Sequence, residues 1–385
     1  MRNLARTLLL ALPVVALTAG APSAQNSATM TMNGVTFSVT GGQQQTINTI
    51  DGGVEVTLDG RVVRLTGTEV NVDGTAYPAP QGARIGIDLT DGRLTVTADG
   101  DVIVEETEID ELARAAEAGD TGAMTTLALY LLDGVETERD VPRAIALLER
   151  ASAADAAPAM RLLAFLLFEG TALPADLPRA YDLALKAAEQ GDAPAQRLVG
   201  IFNADGLLED ADPTAAAQWF ERAARQGDAD AQNRLGEAYR DGRGVAPDLT
   251  MAATLFAQAT AAEHQAGTCN YAQALWDGAG LPKDRARAFQ TALQQAGAGG
   301  RACQLLLARA NYAGEGTRQD LRIAAQWFWD AANEGDAEAA LRLGRMYAEG
   351  DGLPQDTFQA RHWFETAVRL GHPDAAAALA ALPED

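Results

Sequence analysis

Hydrophobic patterning divides the chain into two regimes. From Ala28 to Glu106, apolar and polar residues alternate in short runs such as "VEVTL", "VVRLT" and "RLTVTA". Between the runs sit Asn33-Gly34, Asp51-Gly52, Asp59-Gly60, Asp73-Gly74, Asp91-Gly92 and Asp99-Gly100. Period-two alternation puts one side of each strand into a core, and such pairs tolerate the positive backbone angles of tight hairpin turns. The pattern predicts a small all-β domain and leaves open whether it closes as a sandwich or barrel or coils as a short solenoid. After Glu106 the period changes, and alanine-rich amphipathic segments run to the end of the chain. Only Thr107 to Asp110, a Thr-x-x-Asp resembling a capping box, separates the regimes, so the β domain is expected to lean on the first helices.

The helical part repeats. Steps of 36 from Gly242 land on Gly134, Gly170, Gly206, Gly278, Gly314 and Gly350 with no insertion. The same step gives Asp140, Asp176, Asp212, Asp248, Asp284, Asp320 and Asp356, and a third series runs from Ala144 to Ala360. With 37 glycines in 385 residues, seven at fixed phase arise by chance on the order of once in ten million frames. The glycine ends one helix in the left-handed conformation, the aspartate accepts a free amide at the start of the next, and the alanine lets two helices approach. Each unit therefore reads helix, turn, helix, turn, and stacking buries the apolar stripe that neither helix buries alone. Leu127, Leu163, Leu235, Leu307 and Leu343 on the first helices, with Trp219-Phe220, Leu255-Phe256, Trp327-Phe328 and Trp363-Phe364 on the second, read as core. Asp155 and Glu263 replace the leading glycine of two units, and Ala298-Gly299-Gly300 loosens the start of a third.

Stretches such as "GDADAQNRLGEAYRDGRGVAPD" and "GDAEAALRLGRMYAEGDGLPQD" resemble the Sel1-like repeat family, 36-residue relatives of tetratricopeptide repeats. The expected organisation is a signal peptide (1–24), an all-β domain (25–106), a capping helix (107–118), seven repeats (119–370) and a C-terminal capping helix with tail (371–385). The expected fold class is a small N-terminal all-β domain followed by an all-α superhelical solenoid. The resemblance does not reach the β domain. It implies a protein-interaction scaffold in which the first helix of each pair lines a concave groove. Aligned on Leu235, Gly236 and Tyr239, the groove-facing phases give Arg161, Phe165, Phe168, Arg197, Ile201, Arg234, Asn270, Trp276, Tyr312, Arg342 and Arg345. Arginine and aromatic residues are enriched at partner-binding hot spots. The alternative is that the apolar members are covered by the β domain or by neighbouring helices.

Composition narrows the setting. Arg2 and Arg6, the apolar run Leu8 to Ala19 and Ala21-Pro22-Ser23-Ala24 read as a secretory signal whose apolar centre is too short for an ordinary membrane span. The mature protein is expected to be soluble and exported, with no stable membrane insertion. The formal net charge is -23, and loss of Arg2 and Arg6 takes it to -25. Such acidity repels nucleic acid and anionic lipid, so nucleic-acid binding is not expected. Cys269 and Cys303 are the only cysteines, and they fall near equivalent ends of the first helices of adjacent units. A disulfide and a pair of buried free thiols are both compatible with that placement. A cysteine-rich branch of the family is associated with β-lactam binding and has a cysteine pair in each repeat; single cysteines in two units do not carry that activity over.

Catalytic chemistry is thin. Past residue 24 the serines are Ser27, Ser38 and Ser152; none has a lysine three residues on, and no G-x-S-x-G elbow exists. His264, His362 and His372 lack zinc-binding spacing, and His264 and His372 occupy the phase of Asp228 and Asp336, where a helix begins. Acidic turns such as "EGDGLPQD" lack the alternating ligand spacing of a calcium loop. No cofactor, metal or enzymatic activity is expected. The reading is an exported scaffold for a peptide or protein partner, in envelope regulation or complex assembly. Its alternative is a peptidoglycan or glycan binder using the β domain and aromatic residues such as Trp276.

Overall fold

The computed structural model describes residues 27–383 apart from 33–34, 42–44, 51–52, 60, 67–68, 80–82, 91–92, 136 and 298–299. The expected signal peptide and the loosened Ala298-Gly299 lie outside the described residues. Two units make up the chain, Met1–Pro174 and Ala175–Asp385.

The first unit opens with strands β1 (Ser27–Met32), β2 (Val35–Gly41), β3 (Gln45–Ile50), β4 (Gly53–Leu58) and β5 (Arg61–Thr66), followed by β6 (Glu69–Val72), β7 (Thr75–Pro78), β8 (Ile85–Thr90), β9 (Arg93–Ala98) and β10 (Asp101–Glu106). They form two five-stranded sheets, β1-β2-β8-β9-β10 and β3-β4-β5-β6-β7. The second is an antiparallel meander. In the first, β2 and β8 pair in parallel, with Val39 opposite Ile87. Alternation sends Val56, Leu58, Val63 and Val72 of one sheet and Ile87, Leu94 and Val96 of the other into a single core. A shared core between two sheets settles the choice left open by the turn spacing. Asp73-Gly74 and Asp99-Gly100 have positive φ at both residues, 48° and 97°, 52° and 95°, the backbone that matches a two-residue hairpin to strand twist.

Helix α1 (Glu108–Glu117) starts with the anticipated capping box: the Asp110 amide donates to Thr107 Oγ1 at 3.3 Å, and the Thr107 amide donates to Asp110 Oδ2 at 2.9 Å. A buried ion cluster ties this helix to the sheets. Glu106, 7% exposed, accepts from Arg61 and Arg114 at 2.5 Å each and from the Tyr77 hydroxyl at 2.9 Å. Arg61 also pairs with Asp73 at 2.6 Å and Glu111 at 3.4 Å. Two cations on one carboxylate offset the desolvation of burying it, so α1 leans on the β region, as the short linker requires. Helices α2 (Thr121–Asp133), α3 (Val141–Ala153) and α4 (Ala157–Glu169) complete this unit.

The second unit is helical throughout: α5 (Leu177–Glu189), α6 (Ala193–Ala204), α7 (Pro213–Arg225), α8 (Ala229–Asp241), α9 (Leu249–Ala261), α10 (Gln265–Asp277), α11 (Arg285–Ala296), α12 (Arg301–Ala313), α13 (Leu321–Asn333), α14 (Ala337–Glu349), α15 (Thr357–Arg369) and α16 (Ala375–Ala380). Six of the seven phased glycines are left-handed C-caps; at the seventh, α6 ends one residue early on Asp205, and Gly206 still has φ of 65°. All seven phased aspartates cap a second helix, as where the Asp248 carboxylate accepts the Thr250 and Met251 amides at 2.9 Å. Asp155 and Glu263 hold the left-handed backbone of the glycines they replace, φ 63° and 57°, at about 1–2 kcal/mol each.

Packing inside a pair follows a volume rule across one contact. Gly200, Gly236 and Gly344 lie against Phe220, Phe256 and Phe364, where an added Cβ would sit 2.5–2.6 Å from the ring. At the same phases stand Ala128 and Leu148, and Ala272 and Ala292, each pair within one core cluster. Large second-helix residues are thus matched by the loss of a methyl on the first helix, while Ala308 with Phe328 keeps both groups. Cys269 and Cys303 are joined as a disulfide between α10 and α12, Cα atoms 5.0 Å apart.

Candidate partner-binding surface

Of the first helices, α4 in the first unit and α6 to α14 in even steps in the second carry the expected site residues. In the first unit both helices are apolar nearly all round: "TGAMTTLALYLLD" and "APAMRLLAFLLFE" hold almost no charge before their last residue. One face is spent on the core through Leu127, Leu131 and Leu163. A helix with a second apolar face exposes or shares it: Leu162 and Phe165 are 5% and 8% exposed, while Leu129, Leu132 and Leu166 are half-buried. Here Leu129 and Leu132 of α2 with Leu162, Phe165 and Leu166 of α4 line a cleft of about 150 Å³.

Carboxylates stand at one end of the cleft. Asp133 and Glu169 are the last residues of α2 and α4 and share a repeat phase. Both lie where the helix dipole is negative, a position that disfavours an anion. Glu169 is half-buried, and burial pushes its acid above the ordinary carboxylate range, against the weaker pull of a hydrogen bond from Thr171 at 3.4 Å. Arg139, also at the cleft, donates Nε–H to the Leu132 carbonyl at 3.0 Å, capping α2.

Of the residues expected to bind a partner, Arg161, Phe165 and Phe168 are brought together on α4. Phe165 walls the cleft; Arg161 is 5% exposed and Phe168 half-buried. In the second unit most of the expected polar residues are paired internally. Arg197, 4% exposed, donates to Asp228 at 3.0 Å and Asp230 at 2.9 Å, and Arg234 donates to Asp230 at 3.3 Å. His264 accepts the Gly267 amide at Nδ1, which leaves its proton on Nε2, 3.6 Å from Asp230. Burial alone would raise the Asp230 acid, but the nearby His264 Nε2–H and the charges of Arg234 and Arg197 outweigh it and hold the acid far below its ordinary value.

The rest follow suit. Asn270 donates to Asn233 at 2.8 Å and Glu237 at 3.1 Å and accepts from Arg240 at 3.2 Å. Trp276 is half-buried under the Arg285 guanidinium, 5.1 Å from its ring, and Arg285 pairs with Glu315 at 2.7 Å. The Tyr312 hydroxyl donates to Asp351 at 2.8 Å, and Arg342 donates to Glu338 at 2.8 Å. Ile201 is 4% exposed and belongs to the packed interior, while Arg345 is half-buried. The groove-facing phases include Phe165 but not Leu129, Leu132, Leu166 or Glu169, which also line the cleft. Their signal was present as the run of uncharged residues in α2 and α4.

Helix pairs stacked at a constant step define a helical solenoid of the tetratricopeptide-like class. Sel1 repeats match residues 122–155, 157–192, 193–228, 229–264, 266–290, 301–336 and 337–372, and the chain belongs to the Sel1 repeat family. Proteins of this kind generally bind other proteins and are generally non-catalytic. Among solved structures, a protective antigen present in uropathogenic Escherichia coli strains and displaying an SLR fold is 27% identical over 71% of this chain, with a TM-score of 0.61; the match spans 59% of that protein. A Sel1 repeat protein from Oxalobacter formigenes is 30% identical over 71% of this chain and 79% of its own, with a TM-score of 0.55. A search of curated proteins finds no match. Among the described residues no helix is long and apolar enough to cross a membrane.

Proposed function

We propose that the protein is an exported, non-catalytic scaffold that holds a peptide or protein partner on the surface of its first helices, serving envelope regulation or complex assembly. The cleft between α2 and α4 carries this reading: it is a concave apolar site edged by a few polar groups, the form that binding pockets take. Export rests on the charged start, apolar centre and small-residue zone of residues 1–24. The partner is identified by crosslinking in the native envelope with mass spectrometry. Phe165→Ala then abolishes capture of that purified partner while circular dichroism stays unchanged. Capture at wild-type level by the variant would remove the cleft from the site.

A second reading, glycan binding, draws on a different place. Beside α13, Trp329, 47% exposed, lines a cleft of about 300 Å³ with Arg322, Gln326 and Tyr347. An exposed indole with planar hydrogen-bonding groups suits a sugar ring. Binding to isolated peptidoglycan sacculi that disappears in Trp329→Ala and persists in Phe165→Ala supports this reading over the first.

A further inference from the structure

Resting on the scaffold reading, we infer that the cleft between α2 and α4 takes one bulky apolar side chain with a lysine or arginine next to it, so that the partner presents a basic-apolar protein segment. Size sets the first half. An apolar cavity of about 150 Å³ accepts one group the size of a benzene ring, and the cleft has that volume. It seats a single leucine, methionine or phenylalanine side chain and is too small for the face of a helix.

Charge sets the second half. Asp133 and Glu169 both line the cleft, in repeat phase at the carbonyl ends of two helices, and among the described residues neither forms an ion pair. Arg139 is the one cation lining the cleft, against these two carboxylates, and its Nε–H is committed to Leu132. Two carboxylates added to two negative helix ends make a place where a cation gains and an anion loses. The half-buried Glu169 is poorly solvated, and a partner ammonium or guanidinium supplies what water does not. An acidic segment would set like charges against both groups while its apolar residue entered the same walls. Salt weakens the charged half of this recognition and leaves the apolar half in place.

The test uses the full chain and three fluorescein-labelled octapeptides that share a central Leu-Leu pair flanked by lysine, glutamine or glutamate, read by anisotropy. Wild type binds the lysine-flanked peptide about fivefold more tightly than the glutamine-flanked one, and the glutamate-flanked one most weakly. Glu169→Gln and Asp133→Asn each shrink the preference for lysine, and the double variant removes it while leaving affinity for the glutamine-flanked peptide as it was. Equal binding of the lysine- and glutamine-flanked peptides by wild type overturns this inference and leaves the scaffold reading standing. Preference unchanged in the double variant also overturns it, because the charge discrimination then comes from elsewhere. No binding of any of the three peptides, with no Phe165-dependent capture of the crosslinked partner, takes down both readings together.

Discussion

At one repeat position the first unit has Leu162 and Phe165 where the second has Arg234 and Glu237. Both pairs occupy the same turn of a first helix; Leu162 and Phe165 wall an apolar cleft, whereas the half-buried Arg234 and Glu237 edge a smaller cleft and join polar clusters of Arg197, Asp230, Arg234 and His264 and of Asn233, Glu237, Asn270 and Arg240. A helix face beyond the core can be finished by side chains that satisfy one another or left for another molecule to finish. The repeat scaffold tolerates either because its caps and core residues sit at other phases. The polar clusters are structural elements whose charges pair with each other.

The contrast breaks most visibly at Arg197. Arg197→Ala leaves Asp228 and Asp230 without their shared cation in a largely buried setting and destabilises the protein by roughly 3–5 kcal/mol, read as a fall in the urea midpoint at pH 7. Capture of the partner by folded protein is unchanged, because the lost charge belongs to a polar cluster. A loss below about 1 kcal/mol would mean the cluster behaves as ordinary surface pairs. Next comes the disulfide that links α10 to α12. Cys269→Ser with Cys303→Ser frees a loop with a sequence separation of 34, and the chain-entropy account gives a loss of about 3–4 kcal/mol, measured against oxidised wild type in the same denaturant series.

Much of this architecture was legible in the sequence, and the physical reason is repetition. The left-handed glycine and the capping aspartate do the same task in every unit, so a phase count reveals them before any contact is known. The cleft was less legible. Phe165 walls the cleft although it is only 8% exposed, and Arg161, Arg197 and Ile201 at neighbouring phases are buried as well, because a residue's exposure depends on how much apolar surface the whole helix must place. Leu129 and Glu169 belong to the cleft through pairing of two neighbouring repeats, which no single repeat displays. The parallel pairing of β2 with β8 joins strands far apart in sequence, and alternation along either strand contains nothing about it.

A third prediction sharpens the comparison inside the helix pairs. Gly236→Ala drives a methyl to 2.6 Å from the Phe256 ring, and overpacking of this kind costs about 1–3 kcal/mol. Adding Phe256→Leu reproduces the alanine-leucine arrangement of Ala128 with Leu148, and the double variant recovers part of the loss. A double-mutant cycle checks the coupling; strict additivity would show that the volume rule is coincidence.

The smallest effect separates the two surfaces by the sign of their response to pH. Asp230 has its folded-state acid held below the ordinary value of 3.8, by His264, Arg234 and Arg197 against burial. Its stabilisation is complete above that value and is lost as pH falls below it, by on the order of 1–2 kcal/mol, and Asp230→Asn removes this part of the acid sensitivity. Glu169 runs the other way. Burial raises its folded acid above 4.5, so the stabilisation is present below 4.5 and is lost as pH rises through the raised value. Glu169→Gln then leaves stability at pH 7 unchanged or higher by about 0.5 kcal/mol or less, since solvent screens a half-buried group, while weakening the lysine-flanked peptide. A carboxylate whose removal helps the fold and harms binding is retained for its partner; a clear loss of stability in Glu169→Gln would return it to the scaffold.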